Sequence, residues 1–322
     1  MTRRDLLALG VLAILLCVGT AAFAQAPERV YRLGVLSPID DPMMNTTLSE
    51  LAARGYVEGR NLVVDRRVGT AEQMPELAQG LVSTGPDVIM AVSDWAAEPA
   101  RRATKSIPIV MSPIGRDPVA AGLAESWARP GGNLTGVTLT APELEIKRLD
   151  LLREVVPTAR RIAVLSMHRE VTEPAAAPMR AVAAKLGTQL VELYVGGPAE
   201  YHAAFAAMRS ADAEALVIVP VPEFVGHTER LAALAAKAGL PTVCGNRRSA
   251  EEGCLIGYGP DLAELRRRAA DDVARIFRGA APGEIPIEGP THFDFVVNLK
   301  TAKALGLTMP PLILARADEV IE

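Results

Sequence analysis

From Tyr31 onward the chain alternates short apolar runs with stretches whose apolar residues recur every three or four positions. Residues 31–36, 61–68, 87–92 and 107–111 have the length and near-continuous apolar character of strands. Residues 43–54, 74–83 and 95–104 lie between them with helical patterning. Apolar strands separated by amphipathic helices predict a parallel sheet covered on both faces.

The pattern then repeats. Arg32-Leu33-Gly34-Val35-Leu36-Ser37 is echoed by Arg161-Ile162-Ala163-Val164-Leu165-Ser166. Gly59-Arg60-Asn61-Leu62-Val63-Val64 is echoed by Gly187-Thr188-Gln189-Leu190-Val191-Glu192. Residues 87–92 return as 215–220, and 107–111 return as 240–244, in the same order and at a nearly constant offset. The expected fold is therefore α/β, two similar Rossmann-like lobes with parallel sheets joined by a hinge. The first hinge crossing is placed near Ala141-Pro142, where proline begins a helix over 143–155. Further helices are expected over 261–278 and 299–305, with a strand over 293–298. This gives an N-terminal lobe of 28–140 plus 259–283 and a C-terminal lobe of 141–258 plus 284–322. In such a fold the strand carboxyl ends face a cleft. Arg266-Arg267-Arg268, inside the long helix, reads as a solvated face, and Asp261 suits the first turn.

The amino terminus is different in kind. Met1-Thr2-Arg3-Arg4 precedes an apolar run over 6–18 and the small residues Ala22-Phe23-Ala24. A basic start, a short apolar core and an A-x-A site mark residues 1–24 as a cleaved secretory signal. The run is shorter than the ~20 residues a membrane crossing needs. Sec and twin-arginine export both remain open. Bulky Leu16 before Cys17 argues against lipidation. The formal net charge of −4 is spread along the chain, which argues against nucleic acid or an anionic membrane as the main partner. Cys244 and Cys254 could pair in an oxidising compartment or pack as two small buried residues, and spacing alone decides neither.

Three stretches carry a resemblance. Gly55-Tyr56-Val57-Glu58-Gly59-Arg60-Asn61, Ala128-Arg129-Pro130-Gly131-Gly132-Asn133-Leu134-Thr135-Gly136 and the tail beginning Asn298-Leu299-Lys300-Thr301-Ala302-Lys303 are similar to the ABC-transporter substrate-binding family, tryptophan/tyrosine-type branch. The tail match runs on through Leu314-Ala315-Arg316-Ala317-Asp318-Glu319-Val320-Ile321. The resemblance spans essentially all of the chain beyond the signal. It implies a type I periplasmic-binding fold, capture of a small solute between lobes, and delivery to an ABC permease in the inner membrane. The protein is then expected to be a periplasmic monomer without cofactor. Between Ser37-Pro38 and Gly55-Tyr56 the chain is a few residues shorter than the family pattern.

Candidate ligand contacts lie at the expected strand carboxyl ends. In the first lobe they are Ser37, Asp40, Ser93, Asp94, Trp95, Ser112, Pro113 and Ile114; in the second they are His168, Glu223, Asn246 and Arg247. Ser93 or Ser112 offers a hydroxyl, Asp94 or Glu223 suits a ligand ammonium, and Arg247 suits a carboxylate. Trp95 can stack on an aromatic or cationic group, or pack in the core. Ser93 and Asp94 also suit simple helix capping, and Asp117-Pro118 reads as a cap that opens the next helix.

Catalysis has little support. The four histidines, His168, His202, His227 and His292, lack metal-ligand spacing, and G-x-S-x-G and P-loop motifs are missing. A cofactor-independent racemase would need one cysteine from each lobe, whereas Cys244 and Cys254 fall within one repeat. The reading is a solute receptor for an amino-acid-like, small aromatic or carboxylate ligand. A ligand-sensing module signalling through a membrane receptor is the alternative.

Overall fold

In the computed structural model, residues 29–41, 43–139, 143–167, 169–221, 224 and 226–322 are described. The signal, Cys17 and the hinge at Ala141-Pro142 lie outside them. Tyr31–Glu322 holds two sheets.

The first sheet is parallel throughout, in the order β2-β1-β3-β4-β5. Its strands are β1 (Tyr31–Ser37), β2 (Leu62–Val68), β3 (Val88–Ala91), β4 (Ile109–Ile114) and β5 (Leu134–Thr138). Helices α1 (Met44–Ala53), α2 (Met74–Ser83) and α3 (Asp94–Ala103) connect the first four. Strand side chains alternate between two cores, as the two-residue period requires. Val35, Met90 and Val110 point into one, which holds Leu265, Ala269 and Val273. Leu36, Ile89 and Met111 point into the other, with Leu81 and Ala97. Gly136 on β5 has φ +127°, and a Cβ there would lie 2.3 Å from the Met111 carbonyl oxygen, so only glycine admits this close strand approach.

The second sheet has the order β12-β11-β10-β9-β8-β6-β7. It contains β6 (Arg161–Ser166), β7 (Gln189–Tyr194), β8 (Ala215–Ile218), β9 (Thr242–Cys244), β10 (Ile256–Pro260), β11 (Phe293–Asn298) and β12 (Glu319–Ile321). The helices are α4 (Glu143–Val155), α5 (Arg169–Lys185), α6 (Tyr201–Ser210), α7 (Thr228–Lys237), α8 (Arg247–Glu251), α9 (Leu262–Phe277), α10 (Leu299–Ala304) and α11 (Pro311–Arg316). The alternation recurs: Ile162, Val164 and Val217 face one core, while Ala163, Leu165 and Leu216 face the other. The expected parallel sheet holds from β7 to β10; β11 runs antiparallel to β10, and β12, parallel to β11, shares that reversed direction.

The chain leaves the second sheet after β10 and packs α9 on the first sheet's core. Asp261 caps α9, its Oδ1 accepting from Ala263 N at 2.8 Å and Glu264 N at 3.1 Å. The chain stays on the first sheet through Ile285 and Ile287, and Glu288 bridges to Val137. Cys244 and Cys254 are joined by a disulfide, with Cα atoms 6.2 Å apart, which settles the choice the sequence left open. Asp117 accepts from Val119 N and Ala120 N as a cap would, but a single turn follows instead of the expected helix.

Candidate functional site

At the carboxyl end of the first sheet, three elements bring buried polar groups together. Asp41 follows β1, Ser93 follows β3, and Ser112 lies on β4 beside it. Arg266 reaches them from the second turn of α9: its Nη2 is 2.8 Å from Asp41 Oδ2, and its Nη1 donates to Ser112 Oγ at 3.0 Å. The Arg266 and Asp41 side chains are only 7% and 4% exposed. The expectation that Arg266 lies on a solvated face is therefore wrong. Residue 266 shares the apolar side of α9 with Ala269, Ala270 and Val273, as the 3.6-residue period dictates. Burial pulls the guanidinium below its ordinary range, with Asp41 opposing that shift.

Three atoms in this cluster are buried without a hydrogen-bond partner among the described residues: Asp41 Oδ2, Ser93 Oγ and Arg266 Nε. The Asp41–Arg266 contact is thus ionic in distance without hydrogen-bond alignment at Oδ2. Ser93 makes no side-chain cap to α3, although capping was one sequence reading of it. Its φ is +74°, a left-handed conformation uncommon for a residue bearing a Cβ.

Asp94 faces the other way. Its carboxylate accepts from Gly115 N at 2.9 Å and from Arg116 N at 3.2 Å, with Arg116 Nε at 3.3 Å. It therefore fastens the loop after β4 to the start of α3. Ser37 is buried and its Oγ donates to Ile39 O at 2.7 Å, while Asp40 is exposed. Trp95 is half-buried against the core that also takes Ile114, and Pro113 is buried in β4.

The second sheet's carboxyl end carries a small pocket of about 20 Å³, room for a single water molecule. Ser166 ends β6, Tyr194 ends β7, and Val219 follows β8; Glu145, Val164, Ala176, Met179 and Glu192 complete the lining. Glu145 pairs with Arg148, which is 1% exposed and donates to the carbonyls of Tyr258 at 2.8 Å and Gly245 at 3.4 Å. Glu145 Oε2 is buried without a hydrogen bond. Glu192 accepts from Arg180 Nη2 at 2.7 Å and from Tyr194 OH at 2.8 Å.

Of the second-lobe candidates, Asn246 caps α8, its Oδ1 accepting from Ser249 N at 3.0 Å. Arg247 is exposed and paired with Glu251 and Glu319, which occupies the guanidinium suggested as a carboxylate clamp. His168 and Glu223 lie outside the described residues. Sequence reasoning missed Asp41, Glu145, Arg148 and Arg266. The charged residues on the helices share a signal, since Arg148 and Arg266 each stand three and four positions before apolar core residues.

No helix among the described residues is long and apolar enough to cross a membrane. Residues 33–321 match the family described as ABC transporter substrate binding protein. A tyrosine-binding protein of Clostridioides difficile (strain R20291) is 27% identical over 284 residues, covering 85% of this chain and 81% of that protein. A conserved domain protein from Vibrio cholerae O1 biovar El Tor superposes with a TM-score of 0.83 at 27% identity, covering 91% of this chain and 100% of the other. An ABC domain from Streptococcus pneumoniae in complex with L-Trp superposes with a TM-score of 0.81 at 23% identity, again over 91% and 100% of the two chains.

Proposed function

This chain belongs to the ABC transporter substrate binding protein family, and on that premise we propose that it captures an amino-acid-like solute between its two lobes for an ABC importer. The observation that carries the solute class is the similarity to a tyrosine-binding protein over most of both chains. Two buried polar clusters at the carboxyl ends of the two sheets support the location, since open α/β sheets bind ligands there. In this reading residues 28–140 with 259–283 form one lobe and 141–258 with 284–322 the other. The solute stabilises a closed arrangement by touching both lobes at once. Ser93 and Ser112 remain first-lobe contacts, and Ser166 and Tyr194 join the second-lobe set.

The protein is proposed to be exported by its signal over residues 1–24 and to act in the periplasm as a monomer without cofactor. It binds and does not catalyse in this reading. The disulfide ties Cys244 to Cys254 within the second lobe, so neither thiol is free to act as an acid or base across a cleft.

A thermal-shift screen of the purified protein against amino acids, small aromatics, carboxylates and sugars tests the solute class. Binding to the native state alone stabilises it by about 2.7 kcal/mol at a hundredfold excess over Kd. Stabilisation by aromatic amino acids is expected. A response confined to sugars would overturn the proposed class.

A further inference from the structure

The polar cluster under the first sheet is more than folding requires. Asp41 Oδ2, Ser93 Oγ and Arg266 Nε come from three separate elements and are all buried without hydrogen bonds. Ser93 Oγ and Arg266 Nε therefore cost stability as they stand, and Asp41 Oδ2 is answered only by the ionic contact to Arg266. A buried ion pair can usually be replaced by apolar side chains without loss of stability. Ser93 adds a left-handed backbone conformation, which is strained for a residue bearing a Cβ and tends to persist at ligand sites.

The inventory of the three atoms defines a complement. Arg266 Nε is a cationic donor, Asp41 Oδ2 an anionic acceptor, and the Ser93 hydroxyl can serve as either. Their counterpart is a carboxylate beside an ammonium. A group carrying both has no net charge and leaves the Arg266–Asp41 pair balanced, whereas a lone carboxylate or a lone amine would leave an uncompensated charge in a buried site. Arg116, also at this end, already faces Asp94 and Glu98.

We infer that Arg266 and Asp41, with Ser93, form the specificity-determining seat for the zwitterionic head of an α-amino acid. This rests on the solute class proposed above and assigns its head group to Arg266 and Asp41, outside the strand-end set first considered, beside Ser93 from within it. Arg266 takes the carboxylate, Asp41 takes the ammonium, and the balance of the pair excludes ligands bearing one charge alone.

The test uses L-tyrosine, tyramine and 3-(4-hydroxyphenyl)propanoate, which share a ring and differ in the head group, in calorimetric titrations of the full chain. Wild type should prefer tyrosine to either fragment by about tenfold or more. Asp41→Asn should shift preference toward the propanoate, and Arg266→Met toward tyramine. If a single variant fails to fold, the double variant Asp41→Asn/Arg266→Met replaces the pair by neutral groups, and it should lose the preference for tyrosine over the fragments. Variants that weaken all three probes alike, or keep the wild-type order, would show a merely structural pair and overturn the inference. If no aromatic probe binds wild type, the aromatic solute class fails, and the comparison passes to L-leucine, isopentylamine and 4-methylpentanoate. A zwitterion preference there that the two variants redirect supports the seat, and binding of neither set overturns it.

Discussion

Arg266 Nη2 stands 2.8 Å from Asp41 Oδ2, joining α9 to the loop after β1 across a sequence separation of 225, with both side chains almost wholly buried. Removing one partner strands the other charge. Arg266→Met or Asp41→Asn alone is expected to lower stability by about 3–5 kcal/mol, and the double variant to recover most of it. Urea denaturation of the four proteins measures the cycle. Additive losses would mean the pair is not coupled.

Arg148 has a different task. It holds the carbonyls of Tyr258 and Gly245 from inside the second lobe, beside Glu145. Arg148→Met should cost about 3–5 kcal/mol, because a carboxylate loses its partner and two acceptors lose a donor. A loss under about 1 kcal/mol in denaturant unfolding would place these contacts among the energetically silent ones.

The disulfide closes a sequence separation of 10 residues between β9 and the turn after α8. For a loop of that size the chain-entropy estimate is about 2–3 kcal/mol. Cys244→Ala/Cys254→Ala should fall by that amount in equilibrium unfolding, and added reductant should bring wild type toward the variant. Reductant should leave the variant itself unchanged.

Asp272 sets a pH dependence. Burial pushes its carboxyl from 3.8 up to about 7, and Arg275, 3.4 Å away, opposes the shift. The folded value lies above the unfolded one, so the stability it contributes is complete below about pH 4 and is lost as pH rises toward about 7. Asp272→Asn should match wild type near pH 4 and exceed it by about 1–3 kcal/mol near pH 8. Parallel pH profiles for the two proteins would contradict this role.

Much of the frame was legible because both faces of each sheet are covered. The strand at Val88–Ala91 is buried at every position, and its repeat at Ala215–Ile218 is the same, so their apolar runs stand out from the helices around them. The antiparallel direction of Phe293–Asn298 was not legible, since composition carries no sign of strand direction. Arg266 was misread because three consecutive arginines suggest solvent. Yet Leu265, Arg266, Ala269 and Val273 turn toward the core while Arg267 is exposed. Ser93 was legible as a strand-end hydroxyl, but its missing cap bond and left-handed backbone belong to the folded chain alone.

Calorimetric titration of the purified protein with L-tyrosine tests the central claim most directly. The account predicts saturable binding at one site per chain, weakened by Arg266→Met and by Asp41→Asn. Absence of heat with every amino acid, together with saturable binding of a sugar, would contradict it.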